Sequence, residues 1–412
     1  TAAYTQALVA RYVEKGFNME YRHRHNRKGY KAGALQEGIP SATGEFIAIF
    51  DADFLIPEDF LENTVHYFTD PKIGVVQTRW SYINRHYNLL TEVQTMLLDG
   101  HFVLELGARA GTGLFFNFNG TAGIMRKTMI ESAGGWQHDT LTEDSDLSYR
   151  AQIKGWQFLY LPHVHCPSEL PVETYGFQVQ QSRWAKGLTQ CAKKLMRMIW
   201  SADLPWRVKL EAIYHLTPNI SYPLMIIVSA LMLPVMIVRF YMGWMEMLFL
   251  DLPLILANFI SLGAFYLISQ RELDPKGWKR TIWFLPALMA AGVALTISNT
   301  KAVLEALFGV ETSFARTPKY NIGDKKVKLE QVKYRRRSGW LPFAELGAGT
   351  FFLGVIYYCI ESFNFLSIPF MLIFVAGYYW AGFSTLWQEF HGLLQYKQQQ
   401  KLAMREQLES AD

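Results

Sequence analysis

Cysteine is scarce in this 412-residue chain: Cys166, Cys191 and Cys359 stand far apart in no spaced pattern. Neither a disulfide framework nor a cysteine-based zinc site is suggested. Excess charge of one sign is lacking too. The formal net charge is +4, so bulk charge gives no indication of a nucleic-acid partner. There is no initiator Met and no signal peptide ahead of Thr1. The first residues already read as a helix, so the chain is expected to be a fragment lacking its natural N-terminus. What the sequence does hold is apolar: 50% hydrophobic and 15% aromatic residues. These are high values for a soluble enzyme, and the length allows two or three domains.

The apolar residues are unevenly spread. Residues 1–185 alternate strand and helix patterns, which argues an α/β sheet domain. Helices are expected over 1–16, 32–38, 57–68, 89–106 and 141–154. Strands are expected over 18–25 (at an edge), 45–50, 74–80, 115–125 (glycine-interrupted, or a loop) and 158–161. Residues 186–216 place Lys193, Lys194, Arg197, Arg207 and Lys209 among Leu, Met, Ile and Trp. That pattern suits an amphipathic segment at a membrane interface, or an ordinary surface helix.

Residues 217–412 carry apolar spans at 220–238, 252–269, 282–298, 341–360 and 365–387, each near the length that crosses a bilayer. Residues 301–340 hold ten Lys/Arg against four acids, which places that segment on the cytosolic side. The 270–281 loop has a similar basic excess. Two cytosolic flanks cannot enclose one full crossing, so 282–308 is expected to be re-entrant or interfacial. The tail 388–412 is then cytosolic, as is the α/β domain. The basic residues also suit membrane lipid headgroups.

The chemistry begins at Glu45-Phe-Ile-Ala-Ile-Phe-Asp51-Ala-Asp53-Phe54. A buried strand runs out into two carboxylates on the same side. Such an oxygen pair suits Mg²⁺ or Mn²⁺ held jointly with a phosphate. The alternative is a plain strand-to-loop turn, where Asp is common. Ninety residues on, Thr142-Glu143-Asp144-Ser-Asp146 opens a helix. Its acids either cap that helix or include a general base, for which Asp144 is the candidate. Glu143 and Asp146 then orient the backbone or the neighbouring loop. In Gln180-Gln-Ser-Arg183-Trp184 the guanidinium suits a leaving diphosphate and the indole a sugar face. An amphipathic helix with an interfacial Trp is the other reading.

The ordered set Asn26-Arg-Lys-Gly-Tyr-Lys-Ala-Gly-Ala-Leu35, Phe50-Asp-Ala-Asp-Phe54, Phe118-Asn-Gly-Thr-Ala-Gly123, Ala133-Gly-Gly-Trp136, Thr142-Glu-Asp144 and Gln180-x-x-Arg183-Trp184 resembles a known family. It is similar to the membrane-embedded processive β-glycosyltransferases of family 2, cellulose synthase-like, in particular plant mannan and glucomannan synthases and their bacterial relatives. The resemblance implies an α/β GT-A (Rossmann-like) cytosolic catalytic domain fused to an α-helical transmembrane domain. It implies a nucleotide-sugar donor, a growing polysaccharide acceptor and a Mg²⁺ or Mn²⁺ cofactor.

By the same resemblance, Asp51 and Asp53 would hold the nucleotide diphosphate, with Asp53 on the metal, and Lys31 would contact the nucleotide. Asp144 would be the catalytic base. Gln180 and Arg183 would bind the diphosphate, Trp184 would stack the acceptor's terminal sugar, and Asn119, Gly120 and Thr121 would line the donor–acceptor junction. Phe314, Thr317 and Lys319 would belong to a gating loop at 309–320. By this resemblance the given residues are expected to begin after the family's base-reading strand and its N-terminal membrane segment. The sugar, glucose or mannose, and the base, UDP or GDP, stay open, as does the oligomeric state. A non-processive transferase acting on a membrane lipid shares the acid pair and the spans. A transporter or receptor with a non-catalytic α/β domain is the rival from another class. Glu345 and Glu361, in or near spans, are further functional candidates.

Overall fold

The computed structural model of the protein describes residues 2–242, 249, 252–312, 319 and 339–409. Four strands form one sheet: β1 (Phe46–Ile49), β2 (Ile73–Tyr82), β3 (Gly123–Arg126) and β4 (Gln157–Ser168). Their order is β1-β3-β2-β4. β3 runs antiparallel to both neighbours, whereas β2 and β4 are parallel. Central β2 is covered on both faces, which explains its unbroken apolar start. Val75 packs with Phe118, Met125, Met129 and Leu147 on one face. Val76 packs with Phe60, Ile124 and Leu161 on the other. The sheet thus delivers the end of β1 and the start of β3 to one rim.

Two local expectations differ from the structure. Residues 18–25 form no strand and take no part in the sheet. Their charges engage locally instead, Arg22 with Glu20 and Arg24 with the Lys28 and Tyr30 carbonyls. Residues 57–68 are turns followed by a 3-10 helix, Val65–Thr69, rather than an α-helix. Within the segment the Thr64 hydroxyl donates to the Phe60 carbonyl, the Asn63 side-chain amide donates to the Asp59 carboxylate, and isolated backbone bonds (Asn63 to Asp59, Val65 to Leu61) do not extend into a continuous helix. The 115–125 segment narrows to β3 alone, and β4 extends well past residue 161.

The 89–106 helix is present, but its second half, Gly100–Leu106, is a π-helix. Gly100 lies where a Cβ would fall 2.6 Å from the Phe265 ring. The missing side chain lets the helix Leu252–Leu273 pack closely against this segment. That contact is reinforced by Gln270, which donates to buried Asp99 at 2.8 Å and accepts from Arg85 at 2.7 Å.

One helix, Thr174–Ser201, crosses the expected boundary at residue 185, and the helix Trp206–Leu216 follows it. Among the described residues, four helical stretches are long and apolar enough to cross a membrane: Pro218–Val238, Trp278–Leu307, Leu341–Glu361 and Phe365–Leu394. They fit a membrane protein. The Trp278–Leu307 stretch is broken into a 3-10 turn, a helix Leu285–Ala294 and a helix Thr296–Leu307. The last of these packs along the 174–201 helix. Lys186 pairs with Glu305 at 2.9 Å, and Lys193 donates to the Leu307 carbonyl at 2.9 Å. The final helix runs Ile368–Glu409, through most of the expected tail.

Candidate active site

β1 ends at Ile49, and the chain then turns through Asp51 and Asp53. Lys31, near the start of the helix Tyr30–Gly38, places its ammonium 2.6 Å from Asp51 Oδ1 and 2.8 Å from the Gly120 carbonyl. The Asp51 amide donates to the Thr121 hydroxyl at 2.8 Å. One lysine and one threonine therefore tie the strand end to the 119–122 loop. Asp53 pairs with Lys319 at 2.8 Å, and Lys319 also donates to the Glu169 carbonyl. Phe314 and Thr317 lie outside the described residues.

Asp144 enters from the first turn of the helix Glu143–Ile153. Its Oδ1 accepts from the Ser145 amide at 2.8 Å, and its carbonyl accepts from the Ser148 hydroxyl at 2.6 Å. Its Oδ2 lies 2.8 Å from where a Cβ on Gly120 would be, so Gly120 makes room for this carboxylate. Gly120 also has a φ of +80°, which favours glycine for a second reason. Burial raises the Asp144 carboxyl above the ordinary aspartate range, although the Ser145 amide and Lys31 favour its ionised form. Neighbouring Glu143 is pushed up to about 7, by burial first and then by the Asp144 charge.

The helix Thr174–Ser201 carries Gln180, Arg183 and Trp184 at i, i+3 and i+4, hence on one face. All three are half-buried. Burial lowers the Arg183 guanidinium from its usual value, while Glu143, Asp144, Asp51 and Asp53 all act to raise it. One cation therefore feels both acid pairs, 90 residues apart in sequence. The approach is close because Gly187 lacks a side chain: a Cβ there would fall 2.8 Å from the Thr142 amide. Gln190 accepts from the Leu141 amide at 2.9 Å, locking the two helices together.

Among the described residues, no three His, Cys, Asp or Glu side chains group to hold a metal ion. The two carboxylates nevertheless suit a hard divalent cation completed by phosphate oxygens. The Lys319 ammonium on Asp53 shows that this carboxylate accepts a positive partner in place.

Several residues at the site escaped the sequence reading. Gln77 and Gly187 are two, and Lys186 is a third: it is buried, with bonds to Glu305 and Thr312. Asp146, expected to orient a neighbouring loop, is fully buried and paired with Arg150 at 2.7 Å and Lys194 at 2.9 Å. Arg150 in turn donates to the Ala133 and Gly135 carbonyls. The i, i+4 spacing of Asp146 and Arg150 was the available signal.

An acid pair at a sheet rim, a half-buried acid at a helix start and a neighbouring helix whose arginine feels the charge of both, followed by apolar helices, define a class. It is a GT-A type nucleotide-sugar domain joined to a helical membrane domain. The family model "Glycosyl transferase family group 2" matches residues 46–297, and the chain belongs to that family. It is 42% identical over 209 residues to glucomannan 4-beta-mannosyltransferase 1 of Cyamopsis tetragonoloba, covering 50% of this chain and 40% of that protein. It is 44% identical over 190 residues to glucomannan 4-beta-mannosyltransferase 9 of Arabidopsis thaliana, covering 45% and 36%. The chain thus spans less than half the length of these curated relatives. Among solved structures, the mannosyltransferase PcManGT from Pyrobaculum calidifontis, in complex with GDP-Man and Mn2+, aligns with a TM-score of 0.44 and 20% identity, covering 74% of this chain and 75% of that one.

Proposed function

We propose that this protein is a processive, inverting β-glycosyltransferase. It would polymerise hexose from GDP-mannose, GDP-glucose or UDP-glucose into a β-1,4-linked mannan, glucomannan or glucan. The observation that carries this reading is the meeting of the Asp51 strand end with the Gly120 loop and the Asp144 helix, where Lys31 bridges Asp51 and the Gly120 carbonyl and Gly120 makes room for Asp144 Oδ2; Arg183 feels the charge of the acids gathered there. The likeness to glucomannan mannosyltransferases supports the mannan side.

In this mechanism Asp144 takes the proton of the acceptor hydroxyl as that oxygen attacks the anomeric carbon. The carbon–oxygen bond to the diphosphate breaks on the opposite face, so the configuration inverts. Arg183, with Gln180 beside it, stabilises the charge developing on the leaving diphosphate. Lys31 steadies Asp51 and meets the nucleotide. Trp184 offers its ring to the acceptor's terminal sugar, and Asn119, Gly120 and Thr121 line the junction. A Mg²⁺ or Mn²⁺ ion held by Asp53 and the diphosphate would supply further positive charge to the leaving group.

The membrane arrangement belongs to the same proposal. Spans 220–238, 252–269, 341–360 and 365–387 cross the bilayer and form a path for the polar product. Residues 282–308 stay at the cytosolic face, a reading supported by the break at Leu295 and the packing on the 174–201 helix. Residues 186–216 lie at the interface, with Trp200, Trp206 and Tyr214 exposed. The 309–320 segment acts as a gate over the nucleotide, consistent with Lys319 pairing Asp53.

The test supplies membranes bearing the protein with labelled GDP-mannose, GDP-glucose and UDP-glucose in turn. Long products released by mannanase or cellulase are expected. A single sugar transferred to lipid would favour the non-processive alternative, and no metal-dependent nucleotide release would remove transferase activity altogether.

A further inference from the structure

We infer that Gln77 is a positioning residue: from the middle of the sheet it fixes the Asn119–Ala122 loop against Asp144, Asp51 and Lys31. The inference rests on the reading of Asp144 as the base.

Gln77 lies on β2 and is fully buried. A buried polar side chain in a strand core is costly unless every bonding group is met. Here they are. Its Oε1 accepts from the Asn119 amide at 2.9 Å. Its Nε2 donates to the carbonyls of Thr78 at 2.8 Å, Thr121 at 3.2 Å and Ala122 at 3.1 Å. Two hydrogens are shared among three carbonyls. The opposite amide orientation would face Oε1 against those three oxygens, so the donor and acceptor ends are assigned by the chemistry around them.

The loop needs this anchor because its backbone is unusual. Gly120 has φ +80°, and Ala122, which is not glycine, has φ +56°. A left-handed L-residue costs about 1–2 kcal/mol and persists only where its surroundings over-determine it. Gln77 and Thr78 supply those surroundings, since the Thr78 hydroxyl also donates to the Ala122 carbonyl at 2.6 Å.

The loop's other bonds point to the site. The Gly120 carbonyl accepts from Lys31, and the Thr121 hydroxyl accepts from the Asp51 amide. Gly120 itself faces Asp144 Oδ2. Loosening the inner bonds would let the outer groups drift while the strands stay paired. Gln77 is fully buried and its bonds all go to backbone groups, so it acts through the loop.

The experiment compares Gln77→Met, which keeps the shape and removes the polarity, with Gln77→Glu, which keeps an acceptor for Asn119. Both are made in the full protein, purified in detergent. Hydrogen exchange of the 117–122 amides is measured without substrate, and kcat, donor KM and the pH profile with it. In Gln77→Met, loop exchange should quicken tenfold or more while β4 amides are unchanged. Its kcat should fall at least tenfold, with donor KM within threefold, and its acid limb should move to lower pH as water reaches Asp144. Gln77→Glu keeps the Asn119 bond but sets a second oxygen against three carbonyls, so its loop exchange should quicken and its kcat fall at least as much as in Gln77→Met. Unchanged loop exchange, or lost kcat with an unmoved acid limb, overturns the inference and leaves Gln77 as core filling. A wild type that transfers no sugar removes the reading of the site, and the exchange data still decide whether Gln77 holds the loop.

Discussion

Gly120→Ala tests the packing at the base directly. The new methyl would stand 2.8 Å from Asp144 Oδ2, a separation that real Cβ atoms do not show. Ordinary contact begins near 3.4 Å, so the carboxylate must retreat by about 0.6 Å, on a scale where about 1 Å costs on the order of 100-fold in rate. Rotation offers little relief, because Oδ1 is held by the Ser145 amide at 2.8 Å. The φ of +80° adds backbone strain of about 1–2 kcal/mol for any L-residue.

The expected result is a kcat lower by roughly 10- to 100-fold, with unfolding stability reduced by about 1–2 kcal/mol. Initial rates of labelled-hexose incorporation and denaturant unfolding in detergent measure the two effects separately. Gly38→Ala is the matched control. Its φ is −78° and an added Cβ would meet nothing within 4 Å, so both quantities should stay near wild type. If Gly120→Ala retains more than half the wild-type kcat, the close approach of loop and carboxylate is not what places the base.

Asp144→Asn should lower kcat by roughly 10²- to 10⁴-fold with donor binding retained, as removal of a general base does; equal loss of donor affinity in a binding assay would reassign it. Burial raises the Asp144 carboxyl, and only its ionised form accepts a proton. Wild-type activity should therefore be present above that raised value and fall as pH drops through it, at a pH above the ordinary aspartate range; a pH–rate profile flat through the acid range would contradict this. Asp146→Asn leaves Arg150 buried without its carboxylate, a loss of about 3 kcal/mol or more, read as a lower denaturant midpoint. Asp53→Asn should abolish the stimulation of donor binding by Mn²⁺, measured by titration calorimetry, while a retained Mn²⁺ effect would move the metal elsewhere.

The parts of the site written in local pattern were legible. A strand running into Asp51 and Asp53 follows from alternation alone, and Asp144 follows from its place at a helix start. The Gln180, Arg183, Trp184 face follows from helical spacing. The parts that depend on distant partners were not. Gln77 looks like a routine polar position in an apolar strand until β3 is laid beside β2. Its value comes from Asn119, Thr121 and Ala122, more than 40 residues away. Residues 18–25 and 57–68 misled for the opposite reason. Their sequence suggested regular elements, but residues 18–25 join no strand of the sheet and residues 57–68 close only isolated turns before the 3-10 helix.

The same distinction bears on how the site is held together. The turn that bears Glu143 and Asp144 is fixed to the helix of Arg183 by contacts with no local signature: Gly187 against Thr142, Gln190 on Leu141, and Lys194 on Asp146. Each lies on the helix that also carries Arg183. Lys186, on that helix too, reaches Glu305 and Thr312. A shift of this one helix would therefore disturb Arg183, the 141–146 turn and the 305–312 segment together. The helix 174–201 thus packs on the 141–146 turn on one side and on the helix Thr296–Leu307 on the other, so under the proposed function it is the element through which the site and the apolar helices would feel one another.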